Sequence, residues 1–366
     1  MNYFAGLVRE IAKSQNQAVK LALIYSEVTP EAILDKLKAG RLEPLAPAPT
    51  YDEAEILRSS RIVAVMGVEP IQRAIESGAD IILAGRATDP AIFAALPMMR
   101  GVDPGLAWHA GKVAEYGASA AEPRGPVDLL RVELESTSFV VRALADNRRC
   151  TPASVSAVQL YEVGNPHLMI EPGWTIDLRE ITYQQVTDDL VRVTSGKGVP
   201  QPYTNKLEGV TAAGFQKMFT CAIRDSTILE CLDSWLADLE ESARDRCRTL
   251  VGADAFAQCK VTTRVYGRDG VLGERERRRP QTISEVALII DVISPNADDA
   301  ADVIEAMHYV YMHSKSPAWS INGTLAFPFA QRIFDLGEVY EFNVHHVVHV
   351  DSPDELFRLH VEDVTV

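Results

Sequence analysis

An apolar run, Ile81-Ile82-Leu83-Ala84, ends in Gly85-Arg86-Ala87-Thr88-Asp89-Pro90, which brings a guanidinium and a carboxylate together within four residues. The run predicts a short buried strand, and Pro90 suits the first turn of a helix with Asp89 as its cap. Ligands of an open α/β sheet lie beyond the carboxyl ends of its strands, so Arg86 and Asp89 stand where a small anion would be held. The plainer alternative is a helix cap and a surface ion pair.

Lys112 and Glu115 are three residues apart in a predicted helix, so they either pair with each other or point together into a cleft. Beside Arg86, they would complete a set of parts: a bidentate clamp for a carboxylate, an ammonium for developing negative charge and a carboxylate to move a proton. An enolate-forming lyase or hydratase needs those parts, with Asp89 as a second proton carrier. His167 and Glu171 are further substrate-binding candidates. Glu162, Asn165 and His167 also surround Gly164 and Pro166, a turn in which polar side chains commonly make local hydrogen bonds. Lys206 and Glu208 alternate as on a strand face and read as a solvated pair.

Other polar clusters carry less. Ser195-Gly196-Lys197-Gly198 could cradle a phosphate, but a hairpin turn is the simpler reading. His345 and His349 would share a strand face about 13 Å apart, too far for one ion, with His346 on the other face. Arg275, Arg277, Arg278 and Arg279 make a basic knot in a loop, either solvated or set against a partner chain or a CoA phosphate. The sequence has no dinucleotide fingerprint, Walker loop or Gly-x-Ser-x-Gly elbow. NAD and ATP are therefore not expected, no metal site is assigned, and a divalent cation stays open as cofactor.

The 36 basic and 51 acidic residues give a net charge of -15, which opposes binding to nucleic acid or an anionic membrane surface. Five cysteines, never spaced Cys-x-x-Cys, signal neither a disulfide framework nor a zinc site and fit a reducing cytoplasm. No apolar run approaches the roughly 20 residues of a membrane helix, and no secretory leader is evident.

The first half alternates strand and helix: a strand at 20–25, a helix capped by Thr29-Pro30, a loop at 45–50, a strand at 61–66, a helix opened by Pro70 and the strand at 81–84. That order favours a parallel sheet wrapped by helices. From about Glu162 the texture changes to short strands and turns. Then come a strand at 215–223, a helix with Thr227 and Glu230 as a capping box, strands at 260–266 and 286–293, a helix through Val303 to Tyr311 and a last strand at 339–350. The order βαββαβ is that of a ferredoxin-like fold. The expectation is a parallel-sheet α/β domain at 1–210 holding the cleft and a ferredoxin-like α+β domain at 211–366.

Several segments together resemble the acyclic terpene utilisation AtuA-like family. They are Gly78-Ala79-Asp80-Ile81 with Gly85-Arg86-Ala87-Thr88-Asp89, the stretch Ala110-Gly111-Lys112-Val113-Ala114-Glu115-Tyr116-Gly117-Ala118, Leu160-Tyr161-Glu162-Val163-Gly164-Asn165-Pro166, Val191-Arg192-Val193-Thr194-Ser195-Gly196 and Tyr203-Thr204-Asn205-Lys206-Leu207-Glu208-Gly209. Family members carry a glycine-rich strand and turn upstream, where this chain opens on a helical pattern through Phe4, Leu7, Val8 and Ile11. The resemblance implies breakdown of small branched acids or their CoA thioesters, beside a small companion protein. The expected protein is a cytoplasmic homo-oligomer, a lyase or hydratase with a small carboxylic acid or acyl-CoA substrate. The alternative is a non-catalytic subunit that docks the companion.

Overall fold

The computed structural model describes residues 1–46, 52–123, 129–161, 163–278, 282–318 and 325–365. The chain divides into two compact units, residues 1–210 with 342–366, and residues 211–341. Each has its own apolar core and contains both helices and sheet, so the protein is a mixed α/β chain. Among the described residues no helix is long and apolar enough to cross a membrane.

In the first unit the local elements form where apolar periodicity and caps place them. Val19–Tyr25 and Ile81–Ala84 are strands, and Thr29 accepts the Ala32 N–H at the start of helix Pro30–Lys38. Their pairing departs from an all-parallel sheet. Val19–Tyr25 runs parallel to Ile81–Ala84 on one side but antiparallel to Arg358–Val364 on the other. Arg61–Ala64 pairs antiparallel with Leu207–Val210, and Leu42–Pro44 pairs antiparallel with residues 346–348. Strand–helix alternation fixes only local order, whereas backbone donors and acceptors take whichever strand the tertiary fold brings alongside. Two of the antiparallel partners, Arg358–Val364 and residues 346–348, come from the far end of the chain, and the unit beginning at Met1 includes residues 342–366, which the expected 211–366 domain had claimed.

Short antiparallel strands follow from 168 to 200, as the turn-rich texture after Glu162 predicts, and they are preceded by strands at Leu130–Leu134 and Ser138–Ala143 and a helix at Pro152–Gln159 that the texture did not signal. One sheet orders Tyr183–Thr187, Leu190–Thr194, Ser138–Ala143 and Leu130–Leu134, and a second orders Lys197–Pro200, Trp174–Asp177 and Leu168–Glu171. Helix Pro104–Glu115 buries Trp108, His109 and Val113 completely. A Cβ at Gly105 would lie 2.2 Å from the Gly196 carbonyl and 2.5 Å from the Gly198 nitrogen. The glycines of Ser195-Gly196-Lys197-Gly198 thus serve close packing against a helix start, and the phosphate-cradle alternative is set aside.

The second unit's strands Lys260–Tyr266 and Val286–Ser294, its part of Thr204–Ile223 (from 211) and its part of Phe334–His349 (to 341) belong to strands that are neighbours in that order. The first three pair antiparallel, with Ile223 opposite Val286 and Tyr266 opposite Ala287. Helices Leu232–Val251 and Ala297–Met312 pack on each other and bury Leu236, Leu239, Val303 and Met307. Asp225, not Thr227, caps the first short helix, because its carboxylate reaches the Thr227 and Ile228 N–H groups at 2.8 and 3.2 Å.

Candidate functional site

Six of the side chains considered in the sequence, Arg86, Asp89, Lys112, Glu115, Glu171 and Lys206, line one cleft of about 460 Å³ in the first unit, together with Thr88 and Thr204. The strand Ile81–Ala84 carries the chain to the Arg86 turn, where the Arg86 N–H donates to Ser26 Oγ at 2.8 Å and the Met66 N–H to the Arg86 carbonyl at 3.0 Å. Gly111 brings the helix bearing Lys112 and Glu115 against this turn, since a Cβ there would sit 2.8 Å from the Pro90 carbonyl. One missing methyl therefore sets how closely two charged elements approach.

Asp89 does not cap the following helix. Helix Ala91–Met99 starts at Pro90 without a side-chain cap, and Asp89 instead accepts from Arg86 Nη1 at 3.5 Å. Arg86 Nε donates to Glu208 at 3.0 Å, and Lys206 Nζ reaches the other oxygen of the same carboxylate at 2.8 Å. Glu208 thus bridges two cations, which outweigh its burial and hold it below the usual carboxylate range. Burial works against the charge on Arg86, yet the Glu208 bond leaves its guanidinium above its ordinary value.

Lys112 Nζ donates to Glu115 at 2.9 Å and to the Tyr116 hydroxyl at 3.1 Å, and sits 4.7 Å from the centre of that ring. Their side chains are only 11% and 10% exposed. The second Glu115 oxygen is buried without a hydrogen-bond partner. Burial accordingly pushes the Glu115 carboxyl up, whereas on Lys112 burial is outweighed by the bonds to Glu115 and Tyr116 and the ammonium stays above its ordinary value.

Glu171, at the end of strand Leu168–Glu171, accepts from Thr88 Oγ1 at 2.7 Å. Burial pushes its carboxyl up to about 7, against the opposing pull of Thr88 and Lys112 and with help from the negative charges of Glu115 and Asp89. A carboxyl at that value can both give and take a proton near neutrality, which makes Glu171 an acid–base candidate. It entered the sequence analysis only as a binding residue, because nothing local signals its burial. Thr88 and Tyr116 were missed for the same reason, and Lys206 with Glu208 proves to be half-buried where a solvated pair was expected.

A second cleft, of about 790 Å³, adjoins the first and shares Arg86, Thr88, Asp89 and Glu115 with it. Its remaining wall is largely apolar: Ile82, Leu83, Ala84, Ile92, Phe93, Tyr116 and Tyr161. The joined clefts offer a charged end and an apolar trough.

Other candidates fall elsewhere. His167 is exposed in the turn before its strand, its N–H bonded to Asn165 Oδ1 at 2.9 Å, and it lines neither cleft. Four residues of extended chain, about 13 Å, separate it from Glu171. Glu162 and Arg279 lie outside the described residues, as do residues 47–50 of the proline-rich loop; Arg275, Arg277 and Arg278 are exposed. His346 is buried, while His345 and His349 share the other strand face and His349 Nε2 meets Glu43 at 3.0 Å. All five cysteines are free thiols. No group of three or more His, Cys, Asp or Glu side chains is placed to hold a metal ion among the described residues.

Fold and site define a mixed α/β protein with a titratable, ion-paired cleft opening on an apolar trough. The sequence profile of the acyclic terpene utilisation family protein AtuA matches residues 2–102 and 129–333, and the chain belongs to that family. No curated protein and no solved structure matches it.

Proposed function

We propose that the protein is a lyase or hydratase that forms an enolate next to a thioester or carboxylate carbonyl, within the acyclic terpene utilisation to which its family is linked. One observation carries the reading: Glu171, held near neutrality, shares a cleft with Lys112, Glu115 and Arg86. Glu171 takes the proton from the carbon beside the carbonyl. The Lys112 ammonium and the Arg86 guanidinium stabilise the oxygen as negative charge develops on it. Glu115 orients Lys112, and with Asp89 it is the second proton carrier, to the leaving or entering oxygen. The apolar trough accommodates a small branched chain. The ferredoxin-like reading of the second unit is supported by the order in which its strands neighbour one another.

Deuterium exchange tests this directly. The purified protein, incubated in D2O with 3-methylbutanoate or its N-acetylcysteamine thioester, is expected to label the carbon beside the carbonyl, and Glu171→Gln to slow labelling by about 10²–10⁴-fold, the usual contribution of a positioned acid–base. Absence of labelling with both compounds, or labelling untouched by Glu171→Gln, overturns the proposal.

A further inference from the structure

We infer that the reacting carbonyl of the ligand is uncharged, a thioester or ester and not a free carboxylate, an inference that rests on the proposed enolate chemistry of the same cleft. Its ground is charge balance. Three cations, Arg86, Lys112 and Lys206, stand at this cleft, and each already has a carboxylate of the protein as partner. Arg86 has Glu208 at 3.0 Å and Asp89 at 3.5 Å, Lys112 has Glu115 at 2.9 Å, and Lys206 has Glu208 at 2.8 Å. A fourth carboxyl, Glu171, has the neutral Thr88 hydroxyl as its hydrogen-bond partner.

Three cations thus face four acidic groups, and the cleft is already electrically satisfied or slightly negative. A free carboxylate would have to compete with Glu208 and Asp89 for Arg86, or take Lys112 from Glu115, which is 10% exposed and would be left without its cation. Breaking such a pair costs more than an exposed contact returns. A neutral carbonyl oxygen asks for less. It accepts a hydrogen bond from a guanidinium or ammonium that keeps its existing partner, and it gains negative charge only as the enolate forms. The cations then act most strongly on the transition state, where binding raises the rate. The apolar trough beside Arg86, with Ile92 and Phe93 on its wall, points the same way, since an aliphatic chain meets no charge there.

The test compares three ligands on the full-length protein at pH 8 by titration calorimetry: 3-methylbutanoate, its methyl ester and its N-acetylcysteamine thioester. Both neutral compounds are expected to bind at least about ten-fold more tightly than the acid. Glu208→Gln, which frees part of the charge on Arg86 and Lys206, is expected to narrow that gap at least about three-fold by improving acid binding. Asp89→Asn, at an exposed position and so safe for folding, should narrow it in the same direction. Acid binding as tight as that of the neutral compounds, or a gap unchanged in both variants, overturns the charge inference and leaves the proposed reaction standing. Failure of all three ligands to bind, or binding that Lys112→Met does not alter, overturns the proposed reaction and this inference with it.

Discussion

Two ion pairs of identical sequence spacing line the cleft, and they live in different electrostatic worlds. Lys112–Glu115 and Arg86–Asp89 are both three residues apart, but the first pair is almost covered at 2.9 Å while the second is 41% and 64% exposed at 3.5 Å. Water screens the second and leaves it worth a few tenths of a kcal/mol. The first has given up most of its hydration, so each member depends on the other. Spacing thus says which side chains share a face, and burial decides whether the contact matters.

The largest effect separating the pairs is expected for Lys112→Met, which leaves Glu115 covered without its cation. Chemical denaturation at pH 8 should show a loss of roughly 3 kcal/mol. The loss should shrink near pH 4.5, where Glu115, with its raised carboxyl, takes up a proton and no longer needs the ammonium. A loss independent of pH would mean that packing, not charge, is what Lys112 supplies.

Glu171 extends the comparison to a carboxyl whose hydrogen-bond partner among the described residues is a neutral hydroxyl. Its folded-state value rises from 4.5 to about 7, so the folded protein binds the proton more tightly than the unfolded chain. That stabilisation is complete below about pH 4.5 and is lost as pH climbs through 7. Glu171→Gln removes this slope and is expected to be the more stable protein at pH 8, by about 1–3 kcal/mol. Equal slopes for the two proteins between pH 4.5 and 8 would place Glu171 in water.

Gly111→Ala sharpens the same contrast through the backbone. A methyl 2.8 Å from the Pro90 carbonyl forces the helix of the covered pair away from the turn of the exposed one. A cost of about 1–3 kcal/mol is expected, typical of overpacking, together with weaker binding of the thioester. A stable variant with unchanged thioester affinity would show that the close approach is dispensable. The smallest effect belongs to Asp89→Asn, which should leave the melting temperature within the shift expected of about 0.5 kcal/mol. A larger fall would mean that the Arg86 turn depends on this exposed pair.

Much of this arrangement was legible in the residues. The run Ile81–Ala84, the Thr29-Pro30 cap and the Val286 strand formed as their patterns require, because caps and apolar periodicity act within a few residues. The spacing of Lys112 and Glu115 put them on one face, and the segment around Arg86 lies within the region matched to the family, whereas Lys112 and Glu115 fall between its two matched stretches. What the sequence by itself determined was local: element types, the candidate side chains and the membership of the AtuA family. Only the tertiary structure decided that Arg358–Val364 lies beside Val19–Tyr25, that Glu208 bridges Arg86 and Lys206, and that desolvation raises the carboxyl of Glu171 to about 7 against the pull of its Thr88 hydrogen bond. The physical reason is range. Helix and turn signals act over three or four residues, whereas strand pairing and desolvation depend on residues tens to hundreds of positions away, whose proximity no local pattern encodes.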